Sequence, residues 1–192
     1  MKRIVIFDIE TRNIFEDVGK NDPSLLDISI VGAYDSETET YTSYTVEELS
    51  ALWPLIEKAD ALVGFNSDHF DIPLLNKYYS GDLTKIKSID IMVAVKKALG
   101  RRLSLGNIVG ATLGLAKSAD GLQAYRWWKE GKVQEIRDYC LQDVKVTKDL
   151  YEHILKTKKI KFRDGPDVKE LPIDTADWES WDDSSLTHTL PF

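Results

Sequence analysis

The segment Arg3-Ile-Val-Ile-Phe-Asp-Ile-Glu10 constrains this chain more than any other. Consecutive apolar, mostly β-branched side chains suit a strand buried on both faces, at the centre of a sheet with a layer on each side. The end of the run breaks that rule. Asp8 and Glu10 are two residues apart, so in extended backbone both side chains leave the same face. Two carboxylates side by side repel each other and need a cation or protons to coexist.

The rest of the chain supplies the remaining layers. Ile28–Tyr34 and Thr40–Tyr44 read as two more strands, joined by the polar turn 35–39. Thr45, with Glu48 three positions on, forms a capping-box pattern for a helix to Lys58. Ala61–Phe65 is a fourth strand followed by a helix over Ile72–Tyr79. Ile86–Ile89 is a fifth, followed by a helix to Leu99. Beyond Gly100 the pattern is helical over Leu105–Leu113, Gly121–Lys129 and a long segment from Val133 to about Lys156. These units predict an α/β domain over residues 1–163, with a mixed five-stranded sheet flanked by helices. A strand or hairpin near Lys159–Arg163 closes it, and an acidic, flexible tail is expected over 164–192.

Three blocks carry chemistry. The first is Asp8-x-Glu10. The second is Asn66-Ser-Asp-His-Phe70-Asp71, between a strand and a helix, where Asp71 also suits a helix start. The third is Tyr139-Cys-Leu-Gln-Asp143, whose ends share one face of the long helix. Read singly, these are solvated acids, a helix cap and a half-buried tyrosine. A phosphatase of the haloacid-dehalogenase type also opens on a carboxylate pair after an apolar strand. An ATPase reading is excluded, because the chain has no Gly-x-x-x-x-Gly-Lys-Ser/Thr loop.

Together and in this order, the blocks resemble motifs I, II and III of the DEDDy (DnaQ-like) 3′–5′ exonucleases. The Phe7-Asp-Ile-Glu-Thr11 and Phe70-Asp-Ile-Pro73 wording is most similar to the exonuclease domain of family B DNA polymerases and its stand-alone relatives. The resemblance covers residues 1 to about 155. It implies a ribonuclease H-like fold, with Asp8, Glu10, Asp71 and Asp143 holding two divalent cations, Mg2+ or Mn2+. Tyr139 would lie near the attacking water. Thr11, Asn66 and Phe70 occupy motif positions implied to meet the substrate. The implied activity is 3′–5′ hydrolysis of single-stranded or frayed DNA ends, in replication and repair, releasing nucleoside 5′-monophosphates. RNA stays open as a substrate, and so does a nuclease-like binding module that recruits partners through its tail.

Charge distribution fits a polyanion. The net charge of −7 conceals a middle region, 81–163, with 18 basic and 9 acidic side chains between two acidic flanks. Binding follows local potential rather than net charge. Arg101 and Arg102 stand in that region as candidate phosphate contacts, and Trp127 or Trp128 as base-stacking groups. The final Leu190-Pro191-Phe192 is similar to the tips of bacterial single-stranded-DNA-binding proteins and to sliding-clamp-binding peptides, which makes a clamp or other replication protein an expected partner. A tail folded back on the basic region, or one that only solvates, stays open. The single cysteine, Cys140, excludes a disulfide framework and suits a reducing compartment, cytoplasmic or nucleoid-associated. No apolar run approaches the roughly 20 residues that span a bilayer.

Overall fold

The structure is a computed structural model that describes residues 2–115 and 122–181. Five strands, β1 (Ile4–Thr11), β2 (Ile28–Asp35), β3 (Thr40–Tyr44), β4 (Ala61–Gly64) and β5 (Lys87–Asp90), form one sheet in the order β3-β2-β1-β4-β5. The apolar run is therefore central. β1 pairs antiparallel with β2 and parallel with β4, and β5 extends the parallel half. Parallel neighbours need crossovers. α2 (Leu49–Glu57) carries the chain from β3 to β4, and α3 (Asp71–Asn76) lies between β4 and β5. The capping box forms as expected, with Glu48 Oε2 accepting the Thr45 N–H at 2.8 Å.

Alternation along β1 separates two cores. Val5, Phe7 and Ile9 pack with Leu52 and Ile56 of α2 and with Ile72, Leu74 and Leu75 of α3. Ile6 faces the other way, into a core with α4 (Ile91–Leu99), α5 (Leu105–Thr112) and α7 (Val133–Thr157). Each fully buried aliphatic side chain contributes about 1.5–3 kcal/mol, so both faces of β1 are strongly held. Arg3 pins its start, forking Nε and Nη2 onto the Asp35 carboxylate at 3.0 and 2.7 Å.

The long helix α7 lies directly over β1 and β2. Gly32 makes this possible. It sits opposite Asp8 in the β1–β2 register, and a Cβ there would stand 2.9 Å from Cys140 Sγ and 3.0 Å from Val144 Cγ2.

The expected tail begins too early. α7 ends at Lys158 in the left-handed region, and β6 (Lys159–Asp164) turns at Gly165 into β7 (Asp167–Pro172). A short helix, α8 (Ala176–Glu179), then seats Trp178 against Tyr151 with ring centroids 5.8 Å apart. The folded chain thus runs through Trp181. β7 exposes all but Leu171, so its sequence lacks the alternation that marks a half-buried strand. Residues 182–192, with the Leu-Pro-Phe end and its partner readings, lie outside the described residues, as does the helix start expected at Gly121.

Candidate active site

β1 outruns β4. The parallel pairing stops at Ile6–Val63, and β4 itself ends at Gly64. Asp8, Ile9 and Glu10 therefore project beyond the neighbouring strand, with main-chain groups open on that side. The Ile9 backbone N–H on that side favours the ionised form of the Asp71 carboxyl, against burial that raises it. A register shift between Glu10 and Thr11 against β2 ends the regular ladder where the acids lie, as bulges beside functional sites do.

α7 completes the cluster. Asp8, Glu10 and Asp143 each offer a carboxylate oxygen, and these oxygens lie within 4.8 Å of one another. All three residues are half-buried, whereas Asp71 is buried at 5 % exposure. Burial, and then the charges of Glu10, Asp143 and Asp71, hold the Asp8 carboxyl well above the usual carboxylate range. Burial and the charges of Asp143 and Asp71 do the same to Glu10. Asp71 is pushed up to about 7, first by burial and then by the charge of Asp90. Oxygen donors this close and this reluctant to ionise fit a hard divalent cation, which replaces mutual repulsion with attraction. Cys140 sits beneath the cluster with Sγ 3.3 Å from the Asp8 carbonyl oxygen, its thiol pushed up by burial and by the Asp8 charge.

Tyr139 lies one helical turn before Asp143, and its ring meets the edge of Trp127 in α6 (Gln123–Lys129) at 5.9 Å. Phe70 makes a second such pair with Phe15 of α1 (Phe15–Val18), at 6.2 Å and 87°. The Thr11 hydroxyl donates to the Asn13 carbonyl at 2.8 Å. Asn66 adopts a left-handed φ of 69°, a conformation asparagine tolerates.

The adjacent arginines part company. Arg102 donates from Nη2 to Asn66 Oδ1, in the loop between β4 and α3 that leads to Asp71. Arg101 turns away, pairing with Asp164 at 2.9 Å and lying 5.8 Å from the Phe162 ring centroid. Strand β6 supplies both of those partners, which no local pattern reveals.

Sequence reasoning missed Asp90. Its carboxylate caps α4 through the Met92 N–H at 2.8 Å and accepts the Asn66 and Asp68 N–H groups at 2.8 and 3.1 Å. It thereby fixes the loop that carries Asn66 and leads to Asp71. The signal was an aspartate between an apolar strand and an apolar helix, an N-cap pattern. A cavity of about 510 Å³ lies beside Asp90, lined also by Ser88, Lys97 and Trp178.

A family profile described as the RNase H superfamily matches residues 5–155, which span the whole sheet and the site. The chain belongs to the RNase H superfamily. Its sheet order and flanking helices are those of the RNase H-like fold. Among solved structures, it is similar to the family B DNA polymerase of the hyperthermophilic archaeon Pyrobaculum calidifontis. The TM-score is 0.62 at 18% identity, over 81% of this chain and 25% of that one. The chain thus spans about a quarter of the polymerase's length, and the likeness is one of fold. No curated protein matches.

Proposed function

We propose that this RNase H superfamily member is a metal-dependent 3′–5′ exonuclease of the DEDDy type, acting on single-stranded or frayed DNA ends. The observation that carries this reading is the convergence of Asp8, Glu10 and Asp143 oxygens within 4.8 Å, with the Asp71 charge felt at both β1 acids. Two divalent cations, when bound, supply Lewis acidity and a water that ionises near neutral pH. Asp8, Glu10, Asp71 and Asp143 hold them. Tyr139, one turn from Asp143, orients the attacking water through its hydroxyl. With a reference pKa near 10, tyrosine acts here as a hydrogen-bonding group rather than a strong base. Arg102 and Asn66 meet a phosphate at the rim. Phe70 and Trp127 present aromatic surfaces on which unpaired bases stack, which favours single strands over duplex.

The test is degradation of a 5′-labelled oligonucleotide with Mg2+ or Mn2+. Stepwise shortening that stops at a blocked 3′ end is expected, with loss of activity in folded Asp8→Asn and Asp143→Asn variants. Cutting of a closed circle, or wild-type rates in either variant, refutes the assignment. RNA strands in parallel decide between the two polymers, because the same acid set hydrolyses either.

A further inference from the structure

Arg12 follows directly on the end of β1, two residues past Glu10. Ile6 packs into the core beneath α7, and the two acids open into the site. Arg12 then lays its guanidinium 5.9 Å from the ring centroid of Trp128 in α6. The preceding residue on that helix, Trp127, meets Tyr139. The chain that carries two of the clustered acids on β1 thus runs directly into the arginine–indole stack, and α6 links that stack to Tyr139 of α7.

Arg12 is uncommitted. Its side chain makes no hydrogen bond or ion pair with any described residue, and its Nε is shielded from water without an acceptor. A carboxylate that feels its charge is engaged elsewhere: Asp27 takes Lys77 Nζ at 3.0 Å and Asn13 Nδ2 at 3.2 Å. A guanidinium laid on an indole face keeps its N–H edge for a ligand, and that planar fork matches a phosphate. Its placement complements Arg102. Arg102 bonds to Asn66, after β4, whereas Arg12 bonds by its main chain to Asp27, before β2. Asp8 and Glu10 are on β1, the strand between β2 and β4.

We propose that Arg12, supported by Trp128, is a second phosphate contact for the nucleic-acid strand, in addition to Arg102. The two cations offset the repulsion that the carboxylates exert on an entering polyanion. This contact rests on the exonuclease reading above.

Single-turnover degradation of a 5′-labelled single strand, over a range of enzyme excess and salt, tests it. Arg12→Ala should raise the half-saturating enzyme concentration about tenfold and keep the maximal rate within about threefold. The slope of log affinity against log salt should fall in magnitude by about one. Arg12→Gln keeps most of the stem over Trp128 and loses the charge, so it should show the same change and serves if alanine weakens the fold. An unchanged half-saturation and salt slope in a variant with the wild-type melting temperature overturns the contact alone. Wild-type protein that neither degrades nor binds single strands removes the exonuclease reading, and this contact with it.

Discussion

Gly32→Ala adds one methyl group where α7 crosses the sheet, and its effect follows from three distances. The new Cβ would lie 2.9 Å from Cys140 Sγ, 3.0 Å from Val144 Cγ2 and 3.4 Å from the Cys140 carbonyl carbon. Apolar contacts relax to about 3.5–4.0 Å, so the helix must lift by roughly 0.5–1 Å. Rotation of Cys140 gives little relief, because its sulfur is lodged against the Asp8 carbonyl oxygen. Overpacking of this kind costs about 1–3 kcal/mol. Replacing a strand glycine returns about 0.5–1 kcal/mol of chain entropy. The net loss is up to about 2.5 kcal/mol, a fall of up to roughly 10 °C in melting temperature for a chain this size. Activity should suffer more than stability. α7 carries Asp143 and Tyr139, and a misplacement near 1 Å costs on the order of 10²-fold in rate. Thermal melts and single-turnover degradation at fixed metal measure the two effects. Cys140→Ala in the same chain removes the closest contact and should restore part of both. A Gly32→Ala protein with unchanged melting and rate would show that α7 does not need this gap.

Tyr139→Phe should slow single-turnover hydrolysis about 10²-fold without moving the metal dependence, and an unchanged rate would reduce Tyr139 to packing. Asp90→Ala strips the acceptor from four N–H groups, those of Asn66, Asp68, Met92 and Val93, at about 2–4 kcal/mol. It should weaken substrate binding through Asn66, with melting and half-saturation as the readouts. Asp35 loses ionisability to burial, but the Arg3 fork, the Glu37 N–H and Thr38 more than offset this and hold its carboxyl below the usual range. A depressed pKa means the stabilisation is present at neutral pH and fades as pH falls below about 4. Asp35→Asn should therefore destabilise by about 1.5–3 kcal/mol at pH 7. That gap should narrow towards pH 3 in paired denaturation curves.

Much of the architecture was legible because it is written in local pattern. The β1 run, the Thr45–Glu48 cap and the spacing of Tyr139 to Asp143 each follow from a short stretch of residues. What escaped depended on distant partners. Arg101 and Arg102 look alike until β6 supplies Asp164 and Phe162 to one and the β4–α3 loop supplies Asn66 to the other. Asp90 reads as a helix cap, and its hold on the loop 66–68 exists only in three dimensions. β7 escaped because a strand with one buried side chain, Leu171, carries no periodic signal.

The strap from β7 to Trp181 brings the last described residues beside the start of β1. Lys2 Nζ lies 5.6 Å from the Trp181 ring centroid, and Lys87, at the start of β5, lies 4.1 Å from the same ring. β1 starts there and carries Asp8 and Glu10 to its other end, about 20 Å away at strand rise. Lys2 and Trp181 thus lie together on the pole of the sheet opposite the acids. A surface, label or fused domain joined near Lys2 or after Trp181 leaves the carboxylate mouth pointing outward. The same proximity makes a circular permutant, with Trp181 linked to Lys2 and new ends cut in the 35–39 turn, a rearrangement this fold should tolerate.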